Sequence, residues 1–403
     1  MSTAFESSPA LRPRIADLTM FYALHSGGVR TYLEAKQRYF LSHCGCDHRL
    51  YVPGDRLAHF PTRTTVPALL IAPRQRYRFP LRGAVWRRAL LDWSPNLIEV
   101  GDPYRLGWVG PEVADRLGIP AIAFYHSDLA GLLGRRLGRA VRHLTERYLQ
   151  SLYARYALVM APSRAMADKL RALGVDTVEE QPLGVDGQMF HPGRGDVDGW
   201  RMRVGAQADA RLIVYIGRAA REKNVPWLLE AAKRLGPRVH LVLGGLGMPR
   251  AATDNVTVLD RFLPPQETAS LLASADALVH AGTEETFALI AIEAQACGTP
   301  VIGLPIGAMP ERIENGTGRL AEAVSAPALA DAIAAHFETA PDLDAAVRWT
   351  IRQRILAHHA WDTVFEGLLA RYARVLGSAF ASQSPPVVES AQAYADRKAG
   401  AVD

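Results

Sequence analysis

The chain has 403 residues, of which 49% are hydrophobic and 22% are charged, with a formal net charge of +5. This length exceeds what one compact core holds and predicts two domains, and the composition is that of an ordinary globular protein. No apolar signal-type run opens the chain and no segment is apolar enough to span a bilayer, so we expect a globular protein of the cytoplasm.

Strand-like and helix-like patterns alternate along the chain in two successive sets. The first set predicts strands at 15–24, 49–52, 97–100, 121–125 and 157–161, with a helix at 29–41. The second predicts strands at 212–216, 239–243, 256–259, 277–280 and 300–303, and helices at 227–235, 266–273, 287–297 and 327–337. Buried runs of this length between helices predict parallel sheets covered on both faces. We therefore predict an α/β protein with two doubly wound domains.

The Pro/Gly-rich segment 191–196 separates the two sets and predicts a linker. We place an N-terminal domain at 1–191 and a C-terminal domain at 197–360, followed by a last helix from residue 361. The segment 382–403, rich in Ser, Pro, Ala and charge, is predicted to be a disordered tail. In folds of this class ligands bind beyond the carboxyl ends of the strands, so the residues that follow strands are the candidates for a site.

Basic residues are concentrated in the first half of the chain. Residues 1–190 contain 25 Lys and Arg against 17 Asp and Glu, whereas the remainder contains 21 against 24. Six arginines from Arg74 to Arg88 have no acid among them and alternate with aromatic and aliphatic residues. They suit a surface for an anionic membrane or acceptor, and a solvated basic loop is the equal alternative. We expect no nucleic-acid partner, because no reader motif accompanies the charge.

The three cysteines, Cys44, Cys46 and Cys297, are an odd number and lack the spacing of a disulfide framework. They also lack the partners of a four-ligand zinc site, so we expect no metal. A reducing compartment is the simplest interpretation.

Two predicted strand ends carry residues that suit a phosphate. Gly27 and Gly28 lie between a strand and a helix, where small residues admit a ligand to the helix N-terminus. Arg218 follows the strand at 212–216 and Lys223 comes five residues later, so that two cations would face a diphosphate. A tight turn and a solvated loop are the respective alternatives.

The segment 282–294 carries two glutamates at an informative spacing. Glu285 lies at a predicted loop-to-helix junction and Glu293 lies eight residues further along. At about 1.5 Å per residue they are roughly 12 Å apart, the distance from a sugar ring to a ribose across a diphosphate. Glu293 has apolar neighbours and needs partners such as ribose hydroxyls. An amphipathic helix with an ion-paired glutamate is the alternative.

Taken in order, these motifs resemble the family-4 (group 1) retaining glycosyltransferases of the GT-B fold. The matching segments are Gly217-Arg218 with Lys223, residues 285–288 and residues 293–301, with further matches at 27–28, 161–163 and 182–192. The similarity covers about residues 14–378. It implies two Rossmann-like domains facing across a cleft, with the acceptor bound by the N-terminal domain and the nucleotide-sugar by the C-terminal one. It also implies that the helix 361–378 completes the N-terminal domain.

The resemblance implies a hexosyltransferase that transfers a sugar from a nucleotide-sugar donor to an acceptor hydroxyl, with retention and without metal or other cofactor. It implies that Arg218 and Lys223 bind the donor diphosphate, that Glu285 contacts the donor sugar and that Glu293 holds the ribose. The other implied donor residues are Gly27, Gly28, Phe287, Ala288 and Leu289, whereas His126 would lie near the donor sugar. From the sequence alone, a structural role for His126 is as good an interpretation.

The chain departs from the family pattern where Glu285-Thr286-Phe287-Ala288 stands in place of Glu-Gly-Phe-Gly. The added bulk leaves the donor sugar open. A sugar-nucleotide epimerase of the same fold and a non-catalytic sugar-nucleotide-binding protein are the alternatives. The basic stretch favours a lipid or lipid-linked glycan acceptor at the inner face of the cell membrane, and a soluble acceptor is the second possibility.

Overall fold

The computed structural model describes residues 12–22, 27–72, 77–250, 253–313, 316–340 and 343–377. Arg74, Arg76 and the predicted tail lie outside these ranges. In the described ranges before residue 190 there are ten strands: β1 (Arg14–Leu18), β2 (Asp47–Gly54), β3 (Ala58–His59), β4 (Arg63–Pro67), β5 (Leu69–Ala72), β6 (Tyr77–Phe79), β7 (Leu97–Val100), β8 (Ala121–Phe124), β9 (Leu158–Ala161) and β10 (Val178–Glu180).

Eight of these strands form one sheet in the order β10-β9-β8-β7-β1-β2-β4-β3. The pairs β1–β2, β1–β7, β2–β4, β7–β8 and β9–β10 are parallel, and the short edge strand β3 is antiparallel to β4. Every residue of β7, β8 and β9 is buried, as expected for strands covered on both faces. The remaining two strands, β5 and β6, pair as an antiparallel ribbon.

A second sheet has six parallel strands: β11 (Arg211–Ile216), β12 (Val239–Gly244), β13 (Val256–Leu259), β14 (Ala277–His280), β15 (Val301–Gly303) and β16 (Gly318–Leu320). Their order is β13-β12-β11-β14-β15-β16. The apolar faces of β11, β12 and β14 pack on helices of the same region in one continuous core. The predicted parallel α/β architecture is confirmed in both sheets.

Fourteen α-helices lie in the described ranges: α1 (Gly28–His43), α2 (Gly83–Trp93), α3 (Arg105–Leu117), α4 (Leu129–Leu137), α5 (Arg139–Tyr153), α6 (Arg164–Ala172), α7 (Val197–Val204), α8 (Val225–Leu235), α9 (Pro265–Ser274), α10 (Leu289–Ala296), α11 (Met309–Arg312), α12 (Ala326–Thr339), α13 (Ala345–His359) and α14 (Trp361–Leu376). Among them, none is both long and apolar enough to cross a membrane.

Three sequence predictions need correction. The first strand ends at Leu18 rather than at 24, because the Met20 N–H turns away to the Asp102 carboxylate at 2.8 Å. The solvated loop, one of two equal interpretations of the basic stretch, is wrong for most of its described part, since Arg78 lies in β6 and Arg87 and Arg88 lie in α2. The helix predicted at 287–297 begins at Leu289, because Ala288 takes a left-handed conformation with φ of 65°.

Cys44 and Cys46 form a disulfide that closes a very short loop at the end of α1, whereas Cys297 is free and buried. This single local bridge links no distant elements and is not a framework.

The chain divides into two compact units. Of the described residues, the first unit comprises those from 12 to 123, 155–158 and 368–377, and the second comprises 124–154 and those from 159 to 367. The second unit thus contains all of the second sheet together with the segment after β8. The domain boundaries taken from the sequence stay a prediction.

Candidate functional site

Within the second unit, the segments that follow β11 and β14 are joined by hydrogen bonds. The Thr283 N–H donates to the carbonyl of Glu222 over 3.0 Å, and Asn224 Nδ2 donates to the carbonyl of Ala281 over 2.9 Å. Because β11 and β14 are neighbouring parallel strands, both segments leave the same edge of the sheet, where ligands of this fold class bind. The two loops therefore form one structure.

Glu285 lies at the centre of a largely buried polar cluster in these loops. Its Oε1 forms an ion pair with the Lys223 ammonium and lies 3.2 Å from His280 Nε2. His280 Nδ1 accepts the Gly282 N–H at 3.1 Å, so the ring hydrogen is on Nε2 and is donated to Glu285. Burial alone would raise the pKa of Glu285, but Lys223 and then His280 outweigh it and hold this pKa well below its usual value. The carboxylate is therefore ionised.

The N-terminus of α10 lies directly after this cluster. No side chain caps it, so its first N–H groups remain open to an anion. Ala288 occupies the N-cap position with φ of 65° and ψ of 63°. Glycine is favoured in this left-handed region, and the family pattern has glycine there. Ala288 therefore adopts a backbone conformation that is usually occupied by glycine.

Thr286 connects this loop to the segment that follows β8. Its hydroxyl donates to the His126 carbonyl over 3.0 Å, and the His126 ring stacks on Phe124 with centroids 4.2 Å apart. Phe287, by contrast, is buried beneath the Arg312 guanidinium, 4.5 Å from its ring centre. His126 therefore contacts the loop that carries Glu285, whereas the buried Phe287 side chain holds that loop in place.

Glu293 lies on the second turn of α10 and is partly buried. Burial raises its pKa to about 8, and no described group forms a hydrogen bond with its carboxyl. A carboxyl in such surroundings gains from new hydrogen-bond partners. The assignment of ribose binding to Glu293 stays a prediction.

The remaining residues predicted to bind the donor are Arg218, Gly27 and Gly28. Arg218 is exposed, and the Tyr215 hydroxyl holds its backbone by donating to its carbonyl over 3.0 Å. Gly27 and Gly28 belong to the first unit, at the start of α1. An added Cβ at Gly27 would meet no atom within 4 Å, which leaves its backbone open. Their part in donor binding stays a prediction.

Sequence reasoning missed two groups that contact the loop. His280 was identifiable as a polar residue that ends a buried strand five positions before Glu285. The Arg135–Glu284 ion pair joins residues about 150 positions apart and left no local signal.

In the part of the chain that the structure describes, no group of three or more His, Cys, Asp or Glu is arranged to hold a metal ion. Two Asp-x-Asp triplets occur in the sequence, at 196–198 and 342–344. Asp196 of the first triplet accepts the Gly199 N–H and caps α7, and Asp344 of the second accepts the Val347 N–H and caps α13.

Comparison with known proteins adds the family. The chain matches the model "Glycosyltransferase Family 4" over residues 26–188 and the model "Glycosyl transferases group 1" over residues 210–339. A GDP-mannose-dependent alpha-(1-6)-phosphatidylinositol dimannoside mannosyltransferase of Mycobacterium tuberculosis is 30% identical over 327 residues, which cover 77% of this chain and 84% of that protein. The chain belongs to glycosyltransferase family 4.

This family-4 glycosyltransferase is also 31% identical to a GDP-mannose-dependent alpha-mannosyltransferase of Corynebacterium glutamicum, over 57% of this chain and 56% of that protein. The chain therefore spans about half the length of that relative. In structure it resembles sucrose-phosphate synthase from Thermosynechococcus elongatus, with a TM-score of 0.75, 21% identity and coverage of 91% of this chain and 100% of that one.

The predicted GT-B fold and the reaction class are thereby confirmed. The chain is a glycosyltransferase, of the hexosyl-transferring type, that uses a nucleotide-sugar donor. The comparisons lend no support to the epimerase or to the non-catalytic alternative.

Proposed function

We propose that this family-4 glycosyltransferase transfers a mannosyl group from GDP-mannose to an acceptor hydroxyl, with retention at the anomeric carbon and without a metal ion. The donor is suggested by the two relatives, whose names specify GDP-mannose. The observation that carries the proposal is the ionised Glu285, held by Lys223 and His280 directly before the open N-terminus of α10.

The chemistry follows from these charges. The bond from the anomeric carbon to the diphosphate breaks while the acceptor oxygen bonds to the same face, and the leaving diphosphate takes the acceptor proton. Lys223, Arg218 and the first N–H groups of α10 would stabilise the charge that develops on the diphosphate. The Glu285 carboxylate would stabilise the positive charge that develops on the sugar ring. Lys223 would thus serve both Glu285 and the diphosphate.

A donor panel tests this proposal. Release of free nucleotide would be measured with GDP-mannose, UDP-glucose and ADP-glucose, with and without EDTA, and the anomeric configuration of the product would be read by proton NMR. We expect turnover of GDP-mannose that EDTA leaves unchanged, and an α-linked product. Lys223→Ala should lower kcat/KM at least a hundredfold. The matched control, Arg221→Ala, removes an exposed cation two positions away and should leave the rate unchanged.

Equal turnover of UDP-glucose and GDP-mannose would overturn the donor assignment. Inversion of configuration, or loss of activity with EDTA that Mg²⁺ restores, would overturn the mechanism.

We also propose that the acceptor is a lipid or lipid-linked glycan and that the enzyme works at the inner face of an anionic membrane. Eight arginines and one acid lie between residues 54 and 88. Beside them Leu69, Ile71 and Leu81 are 55%, 52% and 59% exposed. Exposed apolar residues flanked by arginines suit an anionic lipid surface.

Sedimentation with vesicles tests the membrane assignment. Vesicles of phosphatidylglycerol and phosphatidylcholine should bind the protein at low salt and release it at high salt, because the attraction is screened. Vesicles of phosphatidylcholine alone are the control. No sedimentation with anionic vesicles at low salt would favour the soluble acceptor instead.

A further inference from the structure

The carboxyl ends of β1 and β7 in the first unit carry a cluster of aromatic side chains. The Phe21 ring lies edge-to-face with Tyr104, with centroids 5.9 Å apart, and with Tyr77, with centroids 6.2 Å apart. Phe21 comes three residues after β1, Tyr104 four residues after β7, and Tyr77 opens β6. All three side chains remain partly exposed. We call these three residues the aromatic platform.

One buried carboxylate fixes two members of the aromatic platform. Asp102 Oδ2 accepts the Met20 N–H at 2.8 Å, and Asp102 Oδ1 accepts the Tyr104 N–H at 3.3 Å. The segments that carry Phe21 and Tyr104 are therefore tied to the same side chain. A surface with this bracing keeps its shape before any ligand arrives, which lowers the entropic cost of binding.

The residue that follows Phe21 in the chain belongs to a set of fixed polar groups. Tyr22, next to Phe21, donates its hydroxyl to Glu34 Oε1 over 3.0 Å, and Arg30 Nε donates to the same oxygen over 2.7 Å. The Arg30 guanidinium also lies over the Tyr22 ring, 5.4 Å from its centre. Aromatic faces bordered by a few oriented polar groups are typical of small-ligand sites.

We propose that the aromatic platform binds a sugar ring of the acceptor. A sugar ring presents C–H groups on its faces and hydroxyls at its edge, which matches the negative face of an aromatic ring beside an arginine, a glutamate and a tyrosine hydroxyl. The inference rests on the proposed function, because it takes the bound sugar to be an acceptor. It goes beyond that function by naming where a glycosylated acceptor binds.

The position of Tyr77 gives this subsite a second property. Tyr77 pairs with Ala72 of β5, the strand whose Leu69 and Ile71 are exposed. A glycolipid could therefore place its sugar on the aromatic platform and its apolar part along β5. The acceptor class that fits both features is an amphiphile with a sugar head.

Saturation-transfer NMR with octyl α-D-mannopyranoside as the probe tests the subsite without any need for catalysis. The wild-type protein should transfer saturation to the ring protons of the probe. Phe21→Ala and Tyr104→Ala should each reduce that transfer at least fivefold, whereas Tyr104→Phe should retain it. Phe60→Ala is the matched control, because Phe60 is 45% exposed in the same unit and takes no part in the platform.

Donor turnover separates the possible failures. Hydrolysis of GDP-mannose without acceptor is measured in the wild type and in Phe60→Ala, and both should show it, because Phe60 takes no part in the platform. Equal ring saturation in wild type and both alanine variants, or saturation of the octyl protons alone, would overturn the subsite. Loss of hydrolysis in the wild type itself would count against the proposed function and leave the NMR result to decide the subsite.

Discussion

Ala288 and Thr286 stand where the family pattern has glycine, and each has a distinct physical consequence. Ala288 keeps a left-handed backbone, with φ of 65°, that an L side chain disfavours. Thr286 adds a hydroxyl that bonds the His126 carbonyl. One substitution therefore costs stability, and the other adds a contact that glycine would lack.

Replacing Ala288 with glycine should stabilise the protein. The left-handed conformation costs alanine roughly 1–2 kcal/mol, and the greater freedom of glycine in the unfolded chain returns about half of that. We expect a net gain of about 1 kcal/mol, measured by urea unfolding. Ala291→Gly, inside α10, is the control and should lose about 1 kcal/mol. Equal losses in both variants would contradict the strain at residue 288.

Removing the Thr286 hydroxyl should lower the rate of donor turnover. Thr286→Val keeps the volume but leaves the His126 carbonyl without this donor, at a cost of about 1 kcal/mol, which corresponds to roughly a fivefold fall in kcat/KM. Thr286→Ser keeps the hydrogen bond and should remain close to wild type. The measurement is donor turnover at limiting GDP-mannose. If valine and serine behave alike, the bond has no part in arranging the loop.

Glu293 should make stability fall as pH rises. Its folded pKa of about 8 lies above the ordinary value of 4.5, so the folded state holds a proton that the unfolded state has lost between those values. The free energy of unfolding should therefore decrease from pH 5 to pH 8, by about 2 kcal/mol for a side chain that keeps some contact with water. Glu293→Gln should reduce that slope in urea unfolding at each pH, and the buried Asp102, whose pKa burial raises to about 7, should account for part of what remains. An unchanged slope would show that another group is responsible.

Among the elements, the first unit is organised around a buried ionic network. Lys36 of α1 lies 2.8 Å from Asp17 of β1 and 3.0 Å from Glu99 of β7, and all three are fully buried. Tyr372 of α14 donates its hydroxyl to Glu99. Burial by itself would raise the pKa of Asp17, but Lys36 and then His48 lower it to about 2. The network around Lys36 thus joins four elements, α1, β1, β7 and α14.

Removal of this lysine should destabilise the first unit strongly. Lys36→Met keeps much of the volume but leaves two buried carboxyls without their cation, at a cost of about 3–5 kcal/mol. Lys233→Met, on the exposed face of α8, is the matched control and should change stability by less than about 0.5 kcal/mol. Thermal unfolding would compare them. A similar small effect in both would show that the network contributes little.

On the scale of the whole molecule, most residues predicted to bind the donor and those proposed to bind the acceptor lie in different compact units. Apart from Gly27 and Gly28, every residue predicted to bind donor lies in the second unit, whereas the aromatic platform and the exposed strand β5 lie in the first. A donor nucleotide should therefore act on the stability of one unit in particular.

GDP should raise the unfolding temperature of the second unit. A ligand that binds only the folded state at a hundred times its Kd stabilises by about 2.7 kcal/mol, which corresponds to roughly 5–10 °C for a unit of this size. Differential scanning calorimetry with GDP, UDP and ADP would measure it, and Lys223→Ala should lose most of the shift. A larger shift with UDP than with GDP would contradict the proposed donor.

The sequence by itself determined the two parallel sheets and most of their strands, because buried apolar runs separated by helical periodicity are local patterns. It also singled out the Glu285 loop as a candidate site, since motif spacing is local as well, and the role of that loop in donor binding stays a prediction. The predicted strand at 97–100 coincides with β7, and the helix predicted from residue 361 begins there as α14.

Only the tertiary structure decided which distant groups meet. His280 and Lys223 contact the Glu285 carboxylate, and Lys36 is buried between two acids. The Phe21 ring packs against Tyr77 and Tyr104. Such contacts depend on strand order and on the paths of loops between elements. Periodicity records which face of an element is buried, and it carries no information about which residue of another element is packed against that face.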